Sequence, residues 1–305
     1  MIALESRDFE ELCRAPAVHG QLETMESSRS AALKTFWLLL IGAAVVGGGV
    51  GYALMLADYP TIAFIAGFLI FFFGIVLAYT PLAKVGEGLK TPVLEALAAK
   101  AGMEYLPSEF APPLYPEAKK ALFGSWISSE AFSDLFNGRD EEGRGVAAYE
   151  AVLQRGSGRS RHIVFSGQIY ALQRESNSGA TTVIVPDRGL LNFFKPSGGL
   201  ERVRIEDEDF ERRFEVYSTH EVEAKQLLFS STLRRLLLDL RQKQGKGKVF
   251  AWFGSEGVLV ATSGKDRFEP GSMFRSRDSQ ERTRSMFDDF CGSLGVLGRL
   301  RDSLR

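Results

Sequence analysis

The sequence predicts an α+β protein: an N-terminal transmembrane helical hairpin followed by a cytoplasmic domain with an antiparallel meander sheet and packed helices. Three observations carry this prediction. Two nearly uninterrupted apolar runs lie between Thr35 and Val85, a window whose only charged residues are Asp58 and Lys84. After them come β-rich runs divided by turns of Gly, Ser and Arg. The helical patterns cluster apart from these strands instead of alternating with them, which argues against βαβ units.

Residues 1–34 are polar, in part helical ("DFEELCR", "ETMESSRSAALK"), and too short to hold a core of their own. The hairpin then occupies 35–82, with helices expected at about 36–57 and 61–80. Runs of roughly 19–22 residues, at about 1.5 Å per residue, match the ~30 Å hydrocarbon core of a bilayer. A cleaved signal peptide fits the first run poorly, because 34 mostly polar residues precede it and "ALMLADYP" lacks a small-x-small cleavage pattern. A buried core helix would show a polar stripe, and "TIAFIAGFLIFFFGIVLAY" shows none. Only "DYP" separates the runs, so the helices form a tight antiparallel pair with Pro60 placed to start the second. Arg29 and Lys34 precede the hairpin, Lys84 and Lys90 follow it, and the turn has neither Lys nor Arg. Both termini are therefore expected in the cytoplasm. Cys13 and Cys291 fall in segments so assigned, where thiols stay reduced, and no disulfide framework is expected.

The stretch "VVGGGVGYAL" invites a nucleotide reading that it fails. Gly49 and Gly51 lack a third glycine at position 54, which is Leu, and no acidic residue lies about 20 positions on. What remains is Gly47-x-x-x-Gly51, a small-residue notch at helical spacing in an apolar helix. Its expected partner is the second helix, where Gly67 and Gly74 lie seven apart on one face; self-association or another membrane protein is the alternative.

The cytoplasmic α+β domain spans 85–305, and its near balance of basic and acidic residues argues against a nucleic-acid surface. Pro92 suits the first turn of a helix with Val93, Leu94, Leu97 and Ala98 on its apolar face and Gly102 at its end. "FAPPLYPEAKKALFGSWISSEAFSDLF" reads as a loop and short helix. "GVAAYEAVLQR", "RHIVFSGQIYALQR" and "TTVIVPD", separated by "RGSGRS" and "ESNSGA", read as consecutive strands of a meander. In the middle one Ile163, Phe165, Ile169 and Ala171 share one face, while His162, Ser166, Gln168 and Tyr170 share a face expected to be wet. Ser218 and Glu221 form a capping box for the next helix. Leu233, Leu236, Leu237 and Leu240 give the following helix one apolar face, and Gly245 lies beyond it. "KVFAWF" and "VLVATS", joined by "GSEG", make a hairpin. An amphipathic helix closes the chain, with a break expected near Gly292 or Gly295.

Catalytic signatures are absent: no H-E-x-x-H, Cys-x-x-Cys or G-x-S-x-G occurs. No cofactor or metal is expected. Of the three histidines, His162 begins a strand and His220 falls in a helical first turn, so with Gln168 and Tyr170 they are the polar-face candidates for a site. The acidic run 206–211 reads as a solvated turn. Arginines gather near turns, Arg155, Arg159, Arg161 and Arg174 around the meander, then Arg275, Arg277, Arg282 and Arg284 before the last helix. On a tethered domain such clusters could meet anionic headgroups.

The hairpin together with "SDLFNGR", "AYEAVLQ", "VFSGQIYALQ", "VRIEDEDFERRFEVYSTHEVEAKQLLFSSTLRRLLLDLR" and "RFEP" resembles the bacterial membrane-protein family known as domain of unknown function three-one-three-seven, from about residue 30 to the C-terminus. The chain departs from the family pattern at His220, where an acidic residue is expected, and in the extra arginine of "ERRFEV". The resemblance implies a multi-pass protein of the bacterial inner membrane with no established activity. The expected function is a non-enzymatic, membrane-tethered binding or scaffold module. The alternatives are an enzyme acting on a lipid or envelope precursor and a sensor of anionic headgroups.

Overall fold

The computed structural model describes residues 4–175, 179–187, 199–243, 245, 247–276 and 278–305. The centre of the "ESNSGA" turn and Arg277 lie outside the described residues. The chain divides into two compact units, residues 97–267 with 288–305, and residues 5–96 with 268–287.

The second of these units is helical. Helix α1 (Ser6–Arg14) leads into α2 (Pro16–Leu56), and α3 (Pro60–Lys100) runs antiparallel to it. Both long helices have 41 residues, about 60 Å at the α-helical rise, twice what a bilayer core needs. The expected 36–57 and 61–80 are thus the apolar centres of longer helices. An 18-residue window in each has mean hydropathy 2.0 and 2.6, and each helix is long and apolar enough to cross a membrane. Pro92 does not start a new helix, since α3 continues through it and through Pro81. Pro81 has no N–H for the carbonyl of Leu77, and the Thr80 hydroxyl donates to that oxygen instead at 2.7 Å. Between α2 and α3, Asp58 takes a left-handed φ of 69°, which lets the chain reverse in three residues.

A strap over 268–276 belongs to the same unit, and cations hold it. Arg282, only 1% exposed, donates to the carbonyls of Pro270 (2.7 Å), Ser272 (3.2 Å) and Arg275 (2.6 Å). Arg29 reaches the Met273 carbonyl at 3.2 Å, and Lys90 pairs with Glu269 at 2.6 Å.

Among the described residues the α+β unit is built on one nine-stranded antiparallel sheet: β1 (Met103–Leu106), β2 (Ile127–Arg139), β3 (Gly145–Arg155), β4 (His162–Gln173), β5 (Thr182–Pro186), β6 (Glu201–Val203), β7 (Phe214–Ser218), β8 (Val249–Phe253) and β9 (Gly257–Ser263). Its spatial order is β1-β2-β3-β4-β9-β8-β5-β7-β6. The meander therefore holds from β1 to β4, but β5 does not follow β4; the β8–β9 hairpin lies between them. Part of the stretch read as loop and short helix is β2, the longest strand, preceded by α4 (Tyr115–Phe123). One register row crosses all nine strands: Tyr105, Phe136, Ala148, Tyr170, Val260, Ala251, Ile184, Val216 and Val203. Every member is buried.

Both faces of the sheet are covered. Tyr149, Leu153, Phe165, Ile169, Phe250 and Trp252 pack with Tyr115, Ala118 and Leu122 of α4 on one face. On the other lies the last helix, α8 (Ser279–Ser303), whose Phe290 ring is 4.8 Å from that of Phe136. Helix α8 is continuous through Gly292 and Gly295, contrary to the expected break. The one-turn helix α5 (Glu208–Glu211) is capped by Asp207, which accepts from the Phe210 N–H, so the acidic run closes on itself. Helices α6 (Glu221–Phe229) and α7 (Ser231–Lys243) follow β7. The α6 N-cap is His220, not Ser218. Ser218 ends β7, and its hydroxyl accepts from the His220 N–H at 3.1 Å.

Candidate functional site

The residues with the most chemistry lie in the row beside that apolar one. Glu150 on β3, Gln168 on β4 and Thr262 on β9 are successive register partners, so their side chains stand on one face. All three are buried, at 6%, 2% and 1% exposure. The face expected to be wet is dry because α8 covers it. Tyr170 donates to Gln168 Oε1, and Ser293 of α8 donates to the same oxygen at 3.4 Å. The Gln168 amide nitrogen has no hydrogen-bond partner among the described residues.

Two further carboxylates meet Glu150. Asp134 sits where β2 slips register against β3, at a left-handed φ of 55°. Asp tolerates that conformation better than most residues, and the bulge turns its side chain into the sheet's interior. It is 1% exposed and accepts from the Tyr105 hydroxyl at 2.6 Å, while its own N–H donates to the Pro107 carbonyl. Asp266, from the segment after β9, is exposed. One carboxylate oxygen from each of Asp134, Glu150 and Asp266 lies within 4.8 Å of the others, and this set could hold a metal ion through hard oxygen ligands.

A proton can relieve the same crowding. Burial, the hydrogen bond to Asp266 and the charges of Asp266 and Asp134 together push the Glu150 carboxyl up to about 9, against a smaller opposing effect of the Arg267 N–H that donates to Glu150 Oε1 at 3.0 Å. Near neutral pH Glu150 is therefore a neutral acid bonded to Asp266. Burial also raises the Asp289 carboxyl, with the Arg267 charge opposing.

The structure brings Gln168 and Tyr170 together and leaves the histidines outside. His162 is exposed at the start of β4, and His220 is exposed between β7 and α6. Three strands, on the order of 19 Å, separate β4 from β7. The acids at the centre of this site were missed by sequence reasoning. Their signal was a lone glutamate inside the otherwise apolar "GVAAYEAVL".

In the hairpin the four glycines fall on the seam between α2 and α3. A Cβ on Gly47 would come within 2.9 Å of the Gly67 carbonyl, one on Gly51 within 3.4 Å of the Ala63 carbonyl, and one on Gly74 within 2.1 Å of Ala43 Cβ. The arginine clusters divide. Arg155, Arg159 and Arg161 are exposed, as is Arg275, but Arg282 is the buried clamp of the strap. Arg284 lies over the rings of Phe9 (4.7 Å) and Phe287 (5.6 Å). Arg174 lines a cleft of about 730 Å³ with Arg139 and Arg144, and Asp140 and Glu142 tie up Arg144.

Residues 163–301 match the family model described as "Protein of unknown function (DUF3137)", the family that the sequence resembles. That stretch runs from β4 through most of α8, and the hairpin lies outside it. No curated protein matches the chain. Among solved structures, the mycobacterial trehalose monomycolate transport factor A, TtfA, is similar at 14% identity and a TM-score of 0.38, over 68% of this chain and 96% of that one, a likeness too low to carry any argument.

Proposed function

We propose that this is a two-helix protein of the bacterial inner membrane, with both termini in the cytoplasm, whose α+β unit is a non-enzymatic binding or scaffold module. The observation that carries the reading is the surface of the hairpin. Only 6% and 11% of the two apolar windows are buried, so the helices leave a broad hydrocarbon face that water would penalise and lipid would cover. Charge placement supports the orientation, since Arg29, Lys34, Lys84 and Lys90 flank the hairpin on the side of its open ends. The most chemically equipped residues favour binding over catalysis. Gln168 and Tyr170 are sealed under α8, where no substrate reaches them, and Glu150 is bonded to its neighbours. Within one chain the glycine seam is already filled, so a partner is expected elsewhere on the molecule.

The test uses full-length protein lacking its native thiols (Cys13→Ser, Cys291→Ser). A cysteine at Asp58 reacts with a membrane-impermeant maleimide on intact spheroplasts, and one at Arg305 reacts only after lysis. The opposite pattern overturns the orientation. Cross-linking in cells followed by detergent extraction yields a stoichiometric adduct; a chain recovered only as monomer counts against the scaffold reading.

A further inference from the structure

The ends of β2, β3 and β4 that lie away from the Arg139–Gly145 turn carry a surface with a distinct composition. Ile127, Arg155 and His162 are register neighbours there. The β3–β4 connection, "RGSGRSRHI", holds Arg155, Arg159, Arg161 and His162 and no acid, and all four are exposed. Two large apolar side chains stand beside them in the open, Trp126 at 68% exposure and Ile163 at 60%. The Arg155 guanidinium lies 5.4 Å over the Trp126 ring. Glu130, the only acid in the flanking stretches 119–130 and 153–164, is paired with Lys119. Among the described residues no ion pair engages Arg155, Arg159 or Arg161.

The loop is built to hold this arrangement. Ser128 Oγ donates to the Gly156 carbonyl at 2.7 Å, and Ser160 bonds back to Ser157 through both its N–H and its hydroxyl. Gly156 has φ 90°, and a side chain there would strike the Ser160 carbonyl. Exposing a tryptophan and an isoleucine costs free energy that a protein surface normally avoids, and a rim of unneutralised arginines repels most cationic or apolar partners. An anionic bilayer surface suits both features: the indole and the aliphatic side chain enter the headgroup boundary, and the guanidinium groups meet phosphates.

We propose that the Trp126–Ile163 edge, ringed by Arg155, Arg159, Arg161 and His162, docks the α+β unit onto anionic phospholipid headgroups. This rests on the hairpin being a membrane anchor, since the tether keeps the edge near a lipid surface at high effective concentration. Each arginine contributes about a fivefold preference for the docked state, so removing three lowers it about a hundredfold.

The experiment places the full chain, with Cys13→Ser and Cys291→Ser, in nanodiscs of phosphatidylcholine alone or mixed with phosphatidylglycerol. A fluorophore sits on Ser157→Cys, and the discs carry doxyl-labelled lipid as a depth quencher. Docking predicts quenching in the anionic discs, little in the neutral ones, and loss of quenching in R155Q/R159Q/R161Q and in W126A, with far-UV circular dichroism unchanged. An unquenched label in anionic discs overturns the proposal. So does equal quenching in both lipids that the arginine variant leaves unmoved. A chain that fails to co-elute with discs overturns the anchor and the docking together, whereas co-elution without quenching overturns docking alone.

Discussion

Replacing Glu150 with Gln should make the α+β unit more stable at alkaline pH. Glu150 is an acid whose folded pKa, about 9, lies above its ordinary value of 4.5. Between those limits the folded state holds a proton that the unfolded state releases. Stability is therefore complete below about pH 4.5 and falls as pH rises, with a slope near 1.4 kcal/mol per pH unit until the folded group ionises. At pH 7 the accumulated loss is about 3 kcal/mol, because that pH lies two and a half units above the ordinary value at which the unfolded carboxyl ionises, while the folded one keeps its proton. Glutamine occupies the same volume, keeps an acceptor for the Arg267 N–H and a donor for Asp266, and removes the proton linkage. The assay is urea unfolding of the full chain in detergent, followed by tryptophan fluorescence at pH 5 and pH 8. The two proteins should be close at pH 5, with E150Q ahead at pH 8 by a few kcal/mol. A wild-type advantage that persists at pH 8, or a pH slope identical in both, would refute the account of a protonated Glu150.

Two more perturbations test other parts of the fold. Gly74→Ala places a methyl 2.1 Å from Ala43 Cβ and should destabilise the hairpin by about 1–3 kcal/mol, while adding Ala43→Gly restores it; equal thermal stability of single and double variants in detergent would refute the seam. Arg282→Met deprives three carbonyls of their donor at a cost of about 3 kcal/mol or more, and hydrogen exchange over 268–276 should accelerate; unchanged protection would show that the strap does not depend on that clamp.

Several elements were legible in the sequence because one local pattern decides them. The apolar runs mark the hairpin, β-rich runs bounded by turns mark β3, β4, β8 and β9, and the Leu233–Leu240 spacing marks α7. Strand β2 was not legible, since Pro112, Pro113 and Pro116 precede it and "SSEAFSDLF" has no β-branched residue to announce a strand. The full length of α3 was hidden by Pro81 and Pro92, which normally end helices. The place of β5 depends on pairing with residues some 70 positions away, beyond any local signal. The site was half legible. Alternation put Gln168 and Tyr170 on one face, but their burial comes from Ser293 and its neighbours, 125 residues on from Gln168. Asp134 and Asp266 are single acids in unrelated segments, and only the bulge in β2 and the end of β9 bring them to Glu150.

The hairpin β8–β9 sits in the middle of the sheet although it comes from the last fifth of the chain. On one side of it β1 to β4 form a flap of four strands, and on the other β5, β7 and β6 form a flap of three. Among the described residues no strand of one flap pairs with a strand of the other. During synthesis α2 and α3 leave the ribosome before both flaps, which then have an open edge each, at β4 and at β5. The two edges stay unsatisfied until residue 263 has emerged and the keystone hairpin can enter. A nascent chain of this protein thus passes through a stage in which it has two unpaired strand edges, and that is where a chaperone would gain most by binding it.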